Sequence, residues 1–379
     1  MDRKLTTPFP VTGYPGPAYF CDREQETKEL IDAISASRNV TLFSIRRMGK
    51  TALIHHLFHA LSERKNLITI YVDIMPTANL NGFANQLATA LAQAYPEESS
   101  FGKKIGQWIK GLRPIVSFDP YNGLPQFSFE MGHPDKQQTT IKALLQFLDH
   151  SGKKSVIAID EFQQITKYPE KQTEAWLRSE IQTLKNTNFI FCGSQKHLLF
   201  EMFNSAKRPF YASTQMLQIG TIQQPVYADF IKLHFRKADI SIAPEEINFL
   251  LEWCRMHTFY VQSLCNRLFQ SGEKKISRHI IQNIIDKIFK EHEAVYFTYR
   301  ELLTDAQWQL LKAIGKEGKV FAPTAMAFIQ RYQLGTPATV KRSLDALLLK
   351  EMIFRENDSE RSYLQVYDLF FSRWLESKQ

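Results

Sequence analysis

The residues best suited to chemistry stand in one short stretch, residues 44–51, which reads Ser-Ile-Arg-Arg-Met-Gly-Lys-Thr. Its spacing is that of the phosphate-binding pattern G-x-x-x-x-G-K-[ST], with a serine in place of the first glycine. In such a loop, successive backbone N–H groups point at phosphate oxygens, and the amino terminus of the next helix adds a partial positive charge. The pattern predicts that Lys50 reaches the terminal phosphates and that the Thr51 hydroxyl binds Mg²⁺.

Two positions decide whether this loop can form. Gly49 lets the backbone approach the phosphates because no Cβ stands in the way, and Ser44 fits the loop if its φ angle is negative. A chance Gly-Lys-Thr is the alternative, but an apolar strand pattern before the loop and a helix pattern after it favour the phosphate site. The residues expected to contact a nucleotide here are Ser44, Ile45, Arg46, Arg47, Met48, Gly49, Lys50, Thr51 and Ala52.

A pair of carboxylates forms the second candidate group, at the end of residues 155–161, Ser-Val-Ile-Ala-Ile-Asp-Glu. A continuous apolar run is typical of a buried parallel strand, and ligands bind beyond the carboxyl ends of such strands. Asp160 is therefore expected to hold Mg²⁺, directly or through water, and Glu161 to orient and deprotonate an attacking water. Alone, the run also fits a strand end followed by a helix cap; together with the phosphate loop, it indicates catalysis.

Two further positions are candidates with an alternative left open. Ser194, with Gln195, follows the apolar strand Asn188–Cys192 and could sense a γ-phosphate; Ser194 fits a simple turn or helix cap equally well. Arg208 could act as an arginine finger or as a phosphate sensor within the chain, because a guanidinium stabilises negative charge that develops in a transition state. A surface arginine that holds a loop is the other interpretation.

Alternating strand and helix patterns position these groups and predict an α/β domain over residues 1–222. Asp22 is expected to cap a helix that begins at residue 23. Residues 96–137 interrupt the alternation with an inserted hairpin, whose strands are predicted at 114–118 and 126–129. The basic residues of this insertion are either a solvated face or a nucleic-acid contact: Lys103, Lys104, Lys110 and Arg113.

Only helical patterns follow the α/β domain, apart from a final hairpin. Residues 223–297 are predicted to form a helical lid and residues 298–379 a winged helix, a helix-turn-helix variant. Thr336 and Pro337 begin its third helix as N-cap and first residue. That helix would present Thr339, Lys341 and Arg342 to a DNA groove, with Ser343 as a further candidate. Residues 331–379 carry eight Lys/Arg against seven Asp/Glu, so DNA reading and a protein-contact or packing role both stay open.

Composition limits the class of protein. A chain of 379 residues is too long for one ordinary core. The net charge of +8 is compatible with an acidic partner such as nucleic acid. No apolar run is long enough to span a membrane, and the first residues lack the apolar core of a signal peptide. The four cysteines are far apart, so we expect reduced thiols in a cytoplasmic protein.

Several motifs together resemble the AAA+-like ATPases of the prokaryotic STAND group, often called the archaeal ATPase family. The loop SIRRMGKTAL is similar to that family's loop, including the serine at its first position, and the resemblance covers nearly the whole chain. The other matching segments are CDRE at 21–24, where Asp22 replaces a glycine, RPFYAS at 208–213, HTFYVQ at 257–262, which lacks the family's Gly and Pro, and VYDLFFSRWL at 366–375.

The resemblance implies a five-stranded parallel sheet of order 5-1-4-3-2 and a preference for ATP over GTP. It also implies a nucleotide-driven switch in a DNA-linked, regulatory or defence process. We therefore expect a Mg-ATP-dependent ATPase with slow or regulated turnover. The alternatives are a DNA-binding regulator that uses ATP as a structural ligand, and a protein-interaction switch that self-associates on ATP, with Arg208 reaching a neighbour's nucleotide. The sequence names no client.

Overall fold

The structure is a computed structural model that describes residues 7–95, 115–118, 125–128, 134–357 and 361–378. The chain divides into two compact units. Unit 1 comprises Met1–Tyr227 and His257–Phe259, and unit 2 comprises Ala228–Met256 and Tyr260–Gln379. Among the described residues, no helix combines the length and the apolar character that crossing a membrane requires.

Unit 1 is built on a parallel sheet of five strands. In chain order these are β1 (Val40–Phe43), β2 (Leu67–Asp73), β5 (Lys154–Asp160), β6 (Thr187–Gly193) and β7 (Gln215–Gln218). They lie side by side in the order β2-β5-β6-β1-β7, and every neighbouring pair is parallel. Counting only these five strands, the order is 2-3-4-1-5, so the predicted order, read from the other edge, is confirmed.

The central strands are apolar on both faces because each face of the sheet is covered by helices. Along β5, Val156 and Ala158 join one core, whereas Ile157 and Ile159 join the other. This alternation follows from the two-residue period of a strand. The continuous apolar run that predicted a buried strand is therefore explained by burial on both sides.

Six helices of unit 1 flank this sheet in the described part of the chain. They are α1 (Glu24–Ser35), α2 (Lys50–Leu61), α3 (Leu80–Ala94), α4 (Pro134–Asp149), α5 (Thr173–Thr183) and α6 (Lys196–Asn204), and a 3-10 turn spans Phe162–Lys167. Leu30 of α1 and Leu53 of α2 pack in one core. Leu87 of α3 and Leu144 of α4 pack in the other. The result is a three-layer α/β unit, as predicted.

The start of α1 differs from the prediction that Asp22 caps it. The N-cap residue is Arg23, in the left-handed region at φ 70°, and no side chain in the described part of the chain caps the first turn. The buried Arg23 guanidinium instead pairs with Glu26 at 2.7 Å and donates to the carbonyl of Gly220. A local ion pair and a hydrogen bond to the distant Gly220 carbonyl thus fix this entry, and a local capping rule could not reveal the second of them.

The inserted hairpin is present where its strands are described. β3 (Ile115–Phe118) and β4 (Pro125–Ser128) pair in antiparallel fashion, close to the predicted strands. The turn between them and the basic residues Lys103, Lys104, Lys110 and Arg113 lie outside the described residues.

Unit 2 is mainly helical. Its helices are α7 (Gln224–Arg236) and α9 (Thr258–Gln270), whose first residues belong to unit 1, together with α8 (Pro244–Trp253), α10 (Arg278–Glu301), α11 (Asp305–Glu317), α12 (Met326–Tyr332), α13 (Pro337–Leu349) and α14 (Leu369–Ser377). Two short strands that the sequence did not predict, β8 (Ser241–Ile242) and β9 (Lys275–Ile276), pair in parallel.

The carboxyl-terminal part has the winged-helix order of elements. Helices α11, α12 and α13 precede an antiparallel hairpin of β10 (Ile353–Asn357) and β11 (Ser362–Val366), and Leu310, Leu347 and Trp374 share its core. The predicted boundary at residues 297 and 298 falls inside α10. That helix continues to Glu301, and α11 begins only after Thr304, which forms a capping box with Gln307.

Helix α13 begins at the predicted residues. Thr336 caps it through the N–H of Thr339, and Pro337 follows in the first turn. Lys341 and Arg342 are exposed. Ser343 is buried, so the expectation that it could present its side chain to a groove is wrong: at helical spacing it shares the inner face with Val340 and Leu347.

Candidate functional site

The loop between β1 and α2 has the backbone that a phosphate-binding loop needs. Gly49 has a φ of 95° and Arg47 a φ of 64°, so the chain turns through the left-handed region twice before the helix begins. Ser44 is not among the residues with positive φ. A serine is therefore tolerated at the position where the pattern has its first glycine, because no left-handed conformation is required there.

Lys50 is the first residue of α2, and its side chain lies within the loop. Its ammonium donates to the Ser44 hydroxyl at 3.0 Å and to the carbonyls of Ser44 and Ile45 at 3.3 and 3.2 Å. Burial lowers the pKa of Lys50, while Cys192, Asp160 and Glu161 act in the opposite direction. The loop's own oxygens thus hold the Lys50 ammonium beside the amino terminus of α2. Both the ammonium and the helix terminus favour an anion at this place.

Asp160, at the end of β5, accepts hydrogen bonds from two neighbouring elements on one oxygen. Its Oδ2 accepts from the Thr51 hydroxyl at 2.8 Å and from the Tyr71 hydroxyl at 2.7 Å. Its Oδ1 accepts from the N–H of Glu161 at 2.9 Å and from the Cys192 thiol at 3.2 Å. Four donors therefore fix the orientation of this buried carboxylate.

Thr51 and Asp160 are suited to a magnesium ion. Both offer oxygen atoms, the hard ligands that Mg²⁺ prefers, and Mg²⁺ in nucleotide sites takes one or two protein ligands and fills its other positions with water and phosphate oxygens. The distance of 2.8 Å between the two side chains means that the threonine hydroxyl can donate to Asp160 while its lone pair stays available. The donor set fits the ion.

Asp73 adds a third carboxylate at the same edge of the sheet. It ends β2 and pairs in register with Asp160 on the adjacent strand. Burial raises its pKa; the N–H of Met75 opposes this shift, and the nearby Asp160 and Glu161 add to it. Negative charge therefore accumulates at this edge, where a divalent cation would relieve it.

Glu161 follows directly and is held by one of its two oxygens. The residue has a φ of 54°, a strained conformation for a non-glycine residue. Its Oε2 accepts from the Ser194 hydroxyl at 2.9 Å, from the Ser194 N–H at 3.3 Å and from the Gln163 side-chain amide.

Ser194 connects the two halves of the site. Its hydroxyl donates to Glu161, and the same oxygen accepts from Nε of Arg46 in the loop at 3.2 Å. It does not cap α6, whose N-cap is Gln195. The ends of β5 and β6 and the phosphate loop thus meet in one hydrogen-bonded cluster of Arg46, Ser194 and Glu161.

The described ion pairs of Arg208 are with helices and not with the phosphate loop. Its guanidinium pairs with Glu174 of α5 and with Glu201 of α6 at 3.5 Å. Burial raises the pKa of Glu174, and the Arg208 charge opposes that shift. These pairs join two helices, and no described hydrogen bond or ion pair joins Arg208 to the loop or to the carboxylates of β5.

The structure adds residues that the sequence did not single out. Tyr71 and Cys192 hold Asp160, and Gln163 holds Glu161. The signal for Tyr71 was available, because β2 and β5 are adjacent in the predicted sheet and Tyr71 stands two residues before the end of β2. Phe259 also joins the site, since the Arg47 guanidinium lies 4.4 Å from its ring centroid, a cation–π distance.

Comparison with known families places both parts of the chain. A family model described as an ATPase domain predominantly from Archaea matches residues 20–254. A second model, described as a probable winged helix domain, matches residues 294–377. These matches confirm the resemblance to the archaeal ATPase family that the loop and strand motifs indicated. No curated protein matches the chain significantly.

Solved structures share the fold at low sequence identity. The Walker-type ATPase PABY2304 of Pyrococcus abyssi is 15% identical with a TM-score of 0.66, and the match covers 97% of this chain and 99% of that chain. The Aeropyrum pernix ORC2 protein, in ADPNP–ADP complexes, is 14% identical with a TM-score of 0.58 over 98% and 96% of the two chains. The Aeropyrum pernix ORC1 protein in complex with DNA is 13% identical with a TM-score of 0.52 over 99% and 97%.

Proposed function

Because the chain belongs to the family of ATPase domains found predominantly in Archaea, we propose that it binds ATP with Mg²⁺ and hydrolyses it. The observation that carries this proposal is the hydrogen bond of 2.8 Å between Thr51 of the phosphate loop and Asp160 of β5. It joins the two motifs, which stand far apart in the sequence, into one site. Lys50 precedes Thr51 in the first motif, and Glu161 follows Asp160 in the second.

Binding is the task of the loop and of α2. The backbone N–H groups of residues 45–51 and the amino terminus of α2 coordinate the phosphates. The Lys50 ammonium exchanges its contacts with Ser44 and Ile45 for phosphate oxygens, which carry more negative charge than the loop's own acceptors. Contacts with the phosphates thus replace contacts that the loop makes with itself.

Thr51 and Asp160 would hold the metal. The Thr51 hydroxyl continues to donate to Asp160, and the tyrosine, thiol and backbone donors on that carboxylate keep its orientation. When bound, Mg²⁺ supplies charge neutralisation on the phosphate oxygens.

Glu161 is the proposed general base. Its carboxylate takes the proton of the attacking water and orients that water towards the γ-phosphate. Ser194, whose hydroxyl lies between Glu161 and Arg46, senses the γ-phosphate in this proposal. For Arg208, the ion pairs with Glu174 and Glu201 support a loop-holding role over that of an arginine finger.

We propose that turnover is slow or regulated and that nucleotide state acts as a switch. In support, the Lys50 ammonium already has three acceptors within the loop. These contacts must be exchanged for phosphate oxygens when a nucleotide binds and formed again when it leaves, which adds a conformational step to each catalytic cycle.

The experiment that tests nucleotide binding is equilibrium titration with ATP, with and without Mg²⁺. We expect binding by the wild type, and a loss of affinity of at least about tenfold in Lys50→Ala, because a charge-assisted contact to phosphate contributes about 1.5–3 kcal/mol. Arg64→Ala, at an exposed basic residue of unit 1, is the control and should bind like the wild type. Equal affinity in Lys50→Ala and the wild type would contradict the proposed site.

DNA binding by the winged helix is a second candidate function. Lys341 and Arg342 are exposed on α13, the helix that enters the major groove in helix-turn-helix proteins. The similar structure of Aeropyrum pernix ORC1 contains DNA. We propose that a basic surface of α13 contacts phosphates, and that a nucleotide-dependent contact with DNA is one output of the switch.

A further inference from the structure

We infer that Gln163 is a positioning residue for the general base, and that it and Ser194 hold Glu161 by Oε2 alone so that Oε1 takes the proton. This inference rests on the proposed ATPase function and names how its base is oriented. Glu161 and Gln163 are two residues apart, and Gln163 lies in the 3-10 turn Phe162–Lys167 that follows the β5 strand.

The hydrogen bonds divide unequally between the two oxygens of Glu161. Oε2 accepts from the Gln163 side-chain amide, the Ser194 hydroxyl and the Ser194 N–H. Within the described part of the chain, Oε1 accepts no hydrogen bond. A carboxylate oxygen with three donors has its lone pairs engaged, whereas the other oxygen keeps its lone pairs available and has a fixed direction.

Gln163 is built into this position. Its side chain is buried, with 3% of its surface exposed, and it packs directly over Gly193 at the end of β6. A Cβ at position 193 would stand 2.0 Å from Gln163 Oε1. A larger residue at position 193 would therefore displace the Gln163 amide from this place, so β6 and the 3-10 turn together set the direction of the amide.

The described hydrogen bond of the Gln163 side chain is the one that its amide donates to Glu161. Its Oε1 is buried and finds no partner among the described residues, a cost that a purely structural glutamine would avoid by turning or by replacement with an apolar residue. The Gln163 amide is neutral, so it orients the carboxylate without placing a positive charge beside it, as a lysine or an arginine would.

The next residue provides a matched control. Gln164 is half-buried, and its side-chain amide donates to the carbonyl of Thr77 at 2.9 Å rather than to Glu161. Gln163→Leu and Gln164→Leu are thus the same chemical change on adjacent residues of one 3-10 turn. Only the first removes a donor from the proposed base.

The test measures phosphate release from Mg-ATP by the wild type, Gln163→Leu, Gln164→Leu, Glu161→Gln and the double variant Glu161→Gln/Gln163→Leu. We expect Gln163→Leu to lower kcat about 10–100-fold with KM changed less than about threefold, since a misplaced base costs on the order of 10²-fold. Gln164→Leu should keep kcat within about twofold of the wild type. In the Glu161→Gln background, Gln163→Leu should lower the rate no further, because the group it positions is already absent.

Three results would overturn the inference: equal kcat in the two leucine variants, a raised KM with unchanged kcat, or a further loss in the double variant. If Gln163→Leu melts at a lower temperature than Gln164→Leu, Gln163→Asn replaces it. The asparagine keeps the amide but is one methylene shorter, and it should show the same loss of kcat. A wild type that binds no ATP or releases no phosphate would instead refute the proposed function, and so the two failures are distinguishable.

Discussion

The neighbouring carboxylates of Asp160 and Glu161 at the end of β5 differ in which of their oxygens accept hydrogen bonds. Asp160 has both oxygens engaged, by Thr51, Tyr71, Cys192 and the backbone. Among the residues that the structure describes, hydrogen-bond donors contact one oxygen of Glu161, Oε2. A carboxylate fixed on both sides suits a metal ligand, which must stay in place, and one fixed on one side suits a base, which must accept a proton and release it.

At the residue scale, His257 provides a prediction of pH dependence. Burial lowers the pKa of His257 to about 4; a hydrogen bond with the backbone of Arg46 opposes the shift, and the Arg47 charge adds to it. In the unfolded chain a histidine titrates near 6.5. Between these values the unfolded state binds a proton that the folded state does not, so stability falls as the pH falls, by about 2 kcal/mol at pH 5.

The measurement is the melting temperature at pH 7.5 and pH 5 for the wild type, His257→Gln and His197→Gln. We expect the wild type and His197→Gln, which changes an exposed histidine, to lose similar amounts on acidification. His257→Gln should lose less, because its side chain has no proton to gain. The same drop in all three proteins would show that His257 does not contribute.

The residues of the site differ in how far the sequence could reveal them. Lys50, Thr51, Asp160 and Glu161 follow from local patterns, because a loop and a strand end each carry their chemistry in consecutive residues. Tyr71, Cys192 and Gln163 do not, since each depends on strand register or on a 3-10 turn that brings its side chain to a carboxylate. Ser194 was found, but its contact with Glu161 required the pairing of β5 and β6.

At the element scale, the sheet was more predictable than the helix starts. The three central strands β1, β5 and β6 are buried on both faces, and the order of the five strands followed from the family resemblance. The start of α1 was predicted within one residue, but its N-cap is Arg23 and not the predicted Asp22, and the Arg23 side chain pairs with Glu26. The break between α10 and α11 depends on the capping box at Thr304, a signal that the sequence contained.

The proposed DNA contact of α13 is tested by salt dependence. We expect duplex DNA to bind the wild type with an affinity that falls as salt rises, and Lys341→Ala/Arg342→Ala to reduce the slope of log K against log salt by about 1–2, because each phosphate contact releases about one counterion. The control variant Arg64→Ala/Lys65→Ala also removes two positive charges, from exposed residues of unit 1. It should keep the wild-type slope of log K against log salt.

An unchanged slope in the α13 variant, or an equal reduction in both variants, would contradict a contact through this helix. Lys341 and Arg342 would then have a packing or protein-contact role, which the near-balance of eight basic and seven acidic residues in 331–379 also permits.

At the scale of the whole molecule, the chain combines an ATPase domain with a winged-helix domain. Each compact unit has its own core, and the same arrangement of elements covers almost the full length of PABY2304. The fold could be anticipated because its motifs are local and ordered along the chain. The output of the switch could not, because an interaction surface such as α13 carries no pattern as specific as a phosphate loop.

The central claim is that this site hydrolyses ATP with Glu161 as the base. Its most direct test is the rate of phosphate release at saturating Mg-ATP in the wild type and in Glu161→Gln, with the dissociation constant for ATP measured on both. We expect Glu161→Gln to bind ATP within about threefold of the wild type and to lose on the order of 10²–10⁴-fold in rate, the contribution of a general base. Equal rates in the two proteins, at equal occupancy, would contradict the claim.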